Sequence, residues 1–156
     1  MGIKLDIGCG AKLADGYTGV DAYVTGPGIV NAQMWALPYE DDTVDEIRSS
    51  HALEHVPKRL VSVTLAEWKR VLVPGGRLLL FVPDLEWCVK EWLKRKSNGW
   101  HLDTIFGNQD HPGEFHMTGF TDDIAYGYLD EAGFSDIVVA SVWSHKQRTI
   151  ALSAVA

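Results

Sequence analysis

The sequence predicts a single α/β domain over residues 1–156, with a mostly parallel sheet that binds a ligand at its carboxyl edge. Residues 3–10 read IKLDIGCG, a buried strand that ends in a Gly-x-Gly turn, which is typical of nucleotide-binding folds. Residues 77–82 form a continuous apolar run, as expected for a central strand covered on both faces. Between them, residues 57–72 carry apolar side chains at helical spacing. Strands that alternate with helices predict a parallel sheet, whose ligands lie across the carboxyl ends of the strands.

Composition excludes several classes of protein. The chain has 156 residues, of which 46% are hydrophobic, and a formal net charge of -7, so a nucleic-acid partner is not expected. No apolar run approaches the roughly 18 residues that a membrane span needs, and we expect no membrane partner. Cys9 and Cys88 form no disulfide framework, and no charged leader precedes the first strand. Together these features predict a cytoplasmic protein.

The first crossover is predicted to be short. The turn after the first strand contains Gly8 and Gly10, which let the backbone approach a ligand where a Cβ would obstruct it. Residues 11–16 leave room for no more than a turn of helix before the second strand at residues 17–21. That strand ends in Asp21, where an acidic side chain can accept both hydroxyls of an adenosine ribose. The alternative is an Asp that only forms a turn.

The remaining elements follow from periodicity and from turn residues. Thr121 is placed to cap a helix that Gly133 ends. The stretch at 97–120 shows no firm periodicity and holds three of the six histidines, so we expect an irregular lid or acceptor-site loop there. The last two strands, joined by a tight turn, should pair antiparallel. The further predicted elements are strands at 29–30, 46–49, 135–144 and 147–155, helices at 85–96 and 121–132, and the turn near His145 and Lys146.

The order and spacing of six runs resemble the class I S-adenosylmethionine-dependent methyltransferases. The resemblance covers nearly the whole chain, and the ensemble is far more specific than any one run. It implies a Rossmann-like three-layer sandwich with a mostly parallel seven-stranded sheet and an antiparallel last strand, here with the shortened first crossover. The runs are LDIGCG, GVD, LPYEDDTVDEI, SSHALEHV, RVLVPGGRLLLFVPD and FTDDIAYGYLDEAGFSDI.

The resemblance also implies the cofactor S-adenosylmethionine, with S-adenosylhomocysteine as its product. In the family, the glycine turn approaches the methionine part, the acid after strand two holds the ribose, and residues after strand three meet the adenine. Residues after strand four line the methyl-donor side. The family often has an acid after strand three, whereas this chain has an amide or a small residue there. Carried over by position, the cofactor-binding residues are Asp6, Gly8, Cys9, Gly10, Asp21, Ala22, Asn31, Ala32, Gln33, Leu37, Ser49, Ser50 and His51.

Methyl transfer from a sulfonium is an in-line displacement, in which the protein chiefly aligns donor and acceptor. Histidine suits the part of a general base near neutral pH. Because the family places the acceptor beside these segments, the catalytic candidates are His116 and His55, followed by His51, Asp84 and His111. We expect no bound metal, a small-molecule or sugar acceptor, and a homodimer. The sequence begins almost at the first strand, whereas many relatives have helices ahead of that strand that cover the acceptor site. Either residues 97–120 are the only lid or a partner subunit completes the pocket, and we expect a dimer.

Three alternatives compete with this interpretation. Residues 51–55, HALEH, match the H-x-x-E-H order of inverted zinc peptidases, whose two histidines bind zinc while the glutamate activates water. No clear downstream helix supplies the third zinc ligand. A nicotinamide-dependent oxidoreductase is disfavoured, because the third glycine of its fingerprint is missing and the short crossover leaves no room for a pyrophosphate at a helix N-terminus. A domain that binds S-adenosylmethionine without catalysis also fits, since no residue is an unambiguous catalyst.

Overall fold

The computed structural model describes residues 2–95, 100–144 and 147–156. Seven strands, four α-helices and two short 3-10 turns make up the described chain. The strands are β1 (Ile3–Ile7), β2 (Thr18–Asp21), β3 (Ile29–Asn31), β4 (Val44–Ser50), β5 (Leu72–Pro83), β6 (Ser135–Ser144) and β7 (Gln147–Val155). The helices are α1 (Lys58–Val71), α2 (Leu85–Arg95), α3 (Trp100–Phe106) and α4 (Asp122–Glu131), and the 3-10 turns are Leu53–His55 and Pro112–Glu114.

The strands form one sheet in the order β3-β2-β1-β4-β5-β7-β6. Strands β1 to β5 pair in parallel, and β7 pairs antiparallel with both β5 and β6. This confirms the predicted seven-stranded sheet and its antiparallel last strand. The strand order reverses between β1 and β4, and ligands of open α/β sheets bind at the carboxyl side of such a switch point.

None of the three crossovers that join β1 to β4 contains a helix, and all of their residues are described. The short first crossover predicted from the sequence is therefore confirmed. The turn after β1 is held by the main chain, because the amide of Gly8 donates to the carbonyl of Val20 at 2.8 Å. The helices come later in the chain and supply the layer that packs on the sheet.

Helix α1 covers the centre of the sheet. Its residues Val61, Leu65 and Trp68 recur on one face and are fully buried, so the predicted apolar stripe is confirmed. Helix α4 packs beside α1. Its N-terminus is capped by the hydroxyl of Thr121, and Gly133 ends it with a φ of +82°, as the turn residues predict.

Two parts of the chain differ from the sequence prediction. Strand β5 begins at Leu72 and not at Arg77. Gly75 and Gly76 do not end the preceding element, because they lie in an irregularity within the strand. The amide of Gly75 donates to the carbonyl of Ala156 at 3.0 Å, which ties this irregularity to the end of the chain. The stretch expected to be irregular contains α3. Lys96 and the turn at His145 and Lys146 lie outside the described residues.

The described helices are all too short or too polar to cross a membrane.

Candidate functional site

A cavity of about 380 Å³ lies at the carboxyl ends of β1 and β2. Gly8 and Gly10 form part of its floor, with φ values of +70° and +56°. A Cβ on Gly8 would lie 2.2 Å from the Cβ of Ala52, so no larger residue fits there, whereas nothing lies within 4 Å of a Cβ on Gly10. The turn after β1 thus packs directly on the turn after β4, and Gly8 is needed for that approach.

Asp21 organises the second wall of this cavity. Its Oδ2 accepts a hydrogen bond from the amide of Gly10 at 2.9 Å. Its Oδ1 accepts from the amides of Tyr23 and Val24 at 2.8 and 2.9 Å. The carboxylate therefore joins the glycine turn to the loop after β2 and leaves about one of its four acceptor positions for a ligand hydroxyl.

The structure brings together some of the predicted cofactor residues and places others elsewhere. Those that line the cavity are Gly8, Gly10, Asp21, Ala22, Ala32, Gln33 and His51. Those that do not line it are Asp6, Cys9, Asn31, Leu37, Ser49 and Ser50.

Several residues outside the cavity hold its walls in place. Asp6 is buried, receives the guanidinium of Arg48 at 2.8 Å and accepts from the amide of Ala14 at 3.0 Å. The side-chain amide of Asn31 donates to the backbone carbonyls of Asp21 and Ala22. These contacts satisfy the polar groups within the protein, so Asp6 and Asn31 act on the cavity through the backbone that they fix.

Ser49 and Leu37 are also engaged with the protein. The hydroxyl of Ser49 donates to the carbonyl of Ile7 at 3.0 Å, and Leu37 belongs to the hydrophobic core. Burial, together with the charges of Asp21 and Asp6, raises the pKa of Cys9 to about 11. Its thiol is therefore neutral at physiological pH and not a nucleophile.

Sequence reasoning missed the aromatic and loop residues of this cavity. Tyr23 from the loop after β2 meets His111 from the distant loop, with ring centroids 5.0 Å apart in an edge-to-face arrangement. Met34 and Trp35 form another wall, and the indole of the buried Trp68 donates to the carbonyl of Met34 at 2.8 Å. The only sequence signal for these residues is their position shortly after a strand, because the residues that they contact are far away along the chain. The other missed lining residues are Val20, Val24, Ala52, Val56, Pro57, Pro112, Gly113, Glu114 and Met117.

A second cavity of about 410 Å³ opens beside the first, and we call it the histidine cavity. The two cavities share His51, His55 and Glu114 as lining residues. The histidine cavity is further lined by Glu54, Trp100, Asp103, Thr104, Gly107, Asn108, His116 and Gln147. It brings together three of the predicted catalytic residues from separate segments.

His51 stands at the boundary between the two cavities. Its backbone has a φ of +54°, a conformation that is uncommon outside glycine. Its Nδ1 lies 3.5 Å from Oε1 of Glu54, and its Nε2 lies 3.4 Å from the hydroxyl of Thr149. A residue held in the left-handed region next to a cavity indicates a functional site, because the surrounding structure must stabilise the strained backbone.

His55 and His116 face each other in the histidine cavity, with ring centroids 4.8 Å apart. The Nδ1 of His55 lies 3.1 Å from the carbonyl of Phe115, and the Nδ1 of His116 lies 2.8 Å from the carbonyl of Thr104. Burial lowers the pKa of His116, although the carboxylate of Glu54 opposes this effect. His116 is therefore a neutral imidazole near pH 7 and can accept a proton.

The other predicted catalytic residues lie in different places. His111 lines the first cavity and not the second. Asp84 lines neither, since its carboxylate caps the amide of Trp87 at 3.0 Å and pairs with Arg148 at 3.2 Å. These contacts show that Asp84 caps helix α2.

The structure does not form the helix that the zinc-peptidase alternative requires. Residues 53–55 form one 3-10 turn, and His51 precedes it in a left-handed conformation. His51 and His55 are therefore not neighbours on one helical face, as two zinc ligands of that motif must be.

Comparisons with known proteins give one match to a domain model and several matches to the fold. The family model described as "Methyltransferase domain" matches residues 11–80. A 37.1 kDa protein from a transposon of Streptomyces fradiae is 46% identical over 48 residues. That match spans 31% of this chain and 13% of the relative.

Solved structures match almost the full chain. An S-adenosylmethionine-dependent methyltransferase from Thermotoga maritima has a TM-score of 0.72 and 17% identity, and the match covers 99% of this chain and 82% of that one. One from Methanosarcina mazei has a TM-score of 0.70 and 21% identity, with 97% and 91% covered. The 1,6-didemethyltoxoflavin-N1-methyltransferase of Burkholderia thailandensis has a TM-score of 0.68 and 20% identity, with 98% and 70% covered. The chain has the fold that these proteins share.

The matched domain, the strand order and the glycine turn agree with one another. Residues 11–80 match the methyltransferase-domain model, and the chain as a whole has the fold of S-adenosylmethionine-dependent methyltransferases of known structure.

Proposed function

We propose that this chain transfers the methyl group of S-adenosylmethionine to a small-molecule or sugar acceptor by in-line displacement. One observation supports the proposal most directly. A cavity built on the glycine turn adjoins a second, polar cavity, and His51 and His55 line both. A donor in the first cavity and an acceptor in the second would meet at these shared residues.

The first cavity suits the donor. Its walls combine Gly8 and Gly10 for close backbone approach, Asp21 for a hydroxyl, and Trp35 as an apolar surface. Most ligand sites have this composition, a largely apolar lining with a few convergent polar groups. We propose that the ribose lies at Asp21 and the methyl group points towards His51.

The histidine cavity suits an acceptor that carries a hydroxyl or an amine. Its lining contains carboxylates, amides and imidazoles, among them Glu54, Asp103, Asn108 and Gln147. Polar groups of this kind discriminate between acceptors by hydrogen bonding. The relative from Burkholderia thailandensis was crystallised with 1,6-didemethyltoxoflavin and S-adenosylhomocysteine, which supports a small acceptor for this fold.

Methyl transfer depends first on the alignment of donor and acceptor, and only some acceptors also need a general base. The acceptor atom attacks the methyl carbon, the carbon–sulfur bond breaks, and the sulfur keeps the electron pair as a neutral thioether. Alignment of two reactants can supply about 7 kcal/mol or more. Where the acceptor is a hydroxyl, its proton must leave, and the lone pairs of His116 and His55 lie in the cavity that we assign to it.

Calorimetric titration with S-adenosylmethionine and S-adenosylhomocysteine tests the proposal. We expect both to bind to the parent chain with one site. Asp21→Ala should weaken both affinities about 100-fold or more, because it removes three hydrogen bonds that shape the cavity and the contact to the ribose.

Asp15→Ala is the matched control. Asp15 is an exposed acid in the first crossover and lines neither cavity. Its removal changes the net charge by the same amount and should leave both affinities unchanged. A folded parent chain that binds neither compound would refute the proposed function, and equal affinities for the two variants would refute the assignment of Asp21.

A further inference from the structure

The histidine cavity contains a group of three acidic and imidazole side chains, of which only His55 also lines the first cavity. Glu54, His55 and His116 each offer one ligand atom, and these atoms lie within 4.8 Å of one another. Zn²⁺ at about 2.1 Å from its ligands holds them about 3.4 Å apart in a tetrahedral site. A bound ion would draw the three atoms to that spacing.

The main chain holds this group together. Glu54 and His55 lie in the 3-10 turn after β4, whereas His116 comes from the segment after α3. The amides of Met117 and Thr118 both donate to the backbone carbonyl of Glu54, at 2.8 and 3.1 Å. The two segments are therefore joined beside the ligand atoms, and the arrangement does not depend on side chains alone.

Both imidazoles have the orientation of metal ligands. The Nδ1 of His55 faces the carbonyl of Phe115, and the Nδ1 of His116 faces the carbonyl of Thr104. A carbonyl can only accept, so each Nδ1 carries the proton and each Nε2 keeps its lone pair. Metal-binding histidines use this arrangement, in which a backbone carbonyl fixes the tautomer and the orientation of the ring.

Glu54 lacks the partners that a buried carboxylate needs. Its side chain is 2% exposed, and neither oxygen receives a hydrogen bond from the described residues. The Nδ1 of His51 lies 3.5 Å from Oε1 of Glu54. A buried charge without hydrogen bonds is strongly unfavourable unless a cation or a ligand compensates it.

Other oxygens in the same cavity share this property. Within the described chain, the buried side-chain atoms without a hydrogen-bond partner are both oxygens of Glu54, Oε2 of Glu114 and Oε1 of Gln147. All three residues line the histidine cavity. The unsatisfied buried acceptors of the described residues therefore all belong to residues that line the histidine cavity, where a cation or cation-bound water would satisfy them.

We propose that Glu54, His55 and His116 bind a divalent transition-metal ion, with Zn²⁺ as the first candidate. Two imidazole nitrogens and one carboxylate suit Zn²⁺ and its first-row neighbours, whereas Mg²⁺ and Ca²⁺ prefer sites made of oxygen. Three protein ligands leave a coordination position open, as in catalytic sites. This proposal differs from the sequence-based expectation of no metal.

The role of the ion rests on the proposed function. The ion would bind an acceptor hydroxyl at the open position and ease the loss of its proton to solvent, because a metal lowers the pKa of a bound hydroxyl. The resulting oxygen would attack the methyl carbon, forming a carbon–oxygen bond as the carbon–sulfur bond breaks. His55 and His116 would then hold the ion and would not act as the base. The acceptor class is narrowed to compounds with a hydroxyl or phenol that can coordinate a metal.

Metal titration of the tag-free, EDTA-treated chain tests the site. We expect Co²⁺ to bind with one equivalent and to produce ligand-field absorption, which Zn²⁺ abolishes by displacement. Glu54→Gln and His116→Asn should each weaken Co²⁺ binding about 100-fold or more, because each removes one ligand. Circular dichroism of each variant verifies that it is folded.

His111→Asn is the matched control, since His111 lines the first cavity and lies outside the ligand group. It should bind Co²⁺ as the parent does. Absence of stoichiometric binding, or the same affinity in the Glu54 and His116 variants as in the parent, would overturn the proposal.

Calorimetry with S-adenosylmethionine on the EDTA-treated chain separates the two proposals. Cofactor binding without metal binding would leave the proposed function and remove the metal site. Metal binding without cofactor binding would leave the site and remove the proposed function.

Discussion

Asp21 and Glu54 are acidic residues that follow β2 and β4 at the same edge of the sheet, and their surroundings are opposite. The carboxylate of Asp21 accepts hydrogen bonds from three backbone amides. The carboxylate of Glu54 is more deeply buried and accepts none from the described residues. The first cavity is therefore organised by the hydrogen bonds of the protein itself, whereas the carboxylate of Glu54 in the histidine cavity has no such support.

The difference shows how one cleft can combine stability with reactivity. Groups that only shape a pocket can be satisfied by the backbone before any ligand arrives. Groups that must act on a ligand have to keep their acceptor positions free of hydrogen bonds from the protein. The rest of the fold must then stabilise these groups in place. Four substitutions test this contrast, and the size of the expected effect decreases from the first to the last.

Gly8→Val tests the floor of the first cavity. Its side chain would collide with Ala52 and would force a branched residue to a φ of +70°. We expect a loss of about 3 kcal/mol or more in the free energy of unfolding, measured by urea denaturation, and loss of cofactor binding. Gly10→Ala has open space at a φ of +56° and should cost only about 1 kcal/mol. Equal losses for the two variants would contradict the close approach at Gly8.

Asp21→Asn tests the satisfied carboxylate. The amide keeps the shape but replaces one accepting oxygen by a donor that faces backbone amides. We expect a loss of about 1–2 kcal/mol in the free energy of unfolding and about a 10-fold weaker affinity for S-adenosylmethionine. Thermal unfolding and calorimetry measure the two effects. A variant as stable as the parent would mean that the three hydrogen bonds do not organise the loop.

Glu54→Gln makes the same chemical change in the unsatisfied carboxylate and should have the opposite sign. Without metal, removal of a buried charge that lacks hydrogen bonds should stabilise the chain by about 1 kcal/mol. Zn²⁺ should raise the melting temperature of the parent and not that of the variant. Destabilisation of the metal-free variant would show that Glu54 is already satisfied within the protein.

Glu67→Gln extends the contrast to a satisfied carboxylate outside the cleft. Hydrogen bonds from Arg70 lower the pKa of Glu67 below its usual value of 4.5. The pair therefore stabilises the fold above the pKa of the unfolded chain, and this contribution is lost as the pH falls through the lower pKa of the folded state. Because Arg70 is about one third exposed, we expect a loss of only about 0.5–1 kcal/mol at pH 7.

The difference between parent and variant should shrink towards acid pH in urea unfolding. A difference that persists unchanged to low pH would exclude the ion pair as its cause.

Local patterns of the sequence were sufficient for much of the fold. The alternation and end signals of β1, β6 and β7 predicted their observed bounds, and Thr121 and Gly133 predicted both ends of α4. Each of these signals acts through residues within a few positions along the chain, so they can be recognised without tertiary structure. The same holds for the glycine turn and for Asp21, since residues that follow parallel strands meet at one edge of the sheet.

The histidine cavity could not be predicted in the same way. The sequence indicated Glu54 and His55 together in the HALEH motif and His116 as a separate candidate, but no local signal placed His116 beside them or left the carboxylate of Glu54 without hydrogen bonds. Helix α3 was also missed, because a helix of seven residues is too short to show a clear period.

By itself, the sequence determined the class of fold, the order of most strands and helices along the chain, and the edge of the sheet where a ligand binds. Only the tertiary structure decided which predicted residues line that site. Asp6, Ser49 and Asn31 are used within the protein, whereas Glu114 and Gln147 arrive from distant segments. The physical reason is that burial and hydrogen-bond satisfaction depend on neighbours in space, and these are known only after the chain has folded.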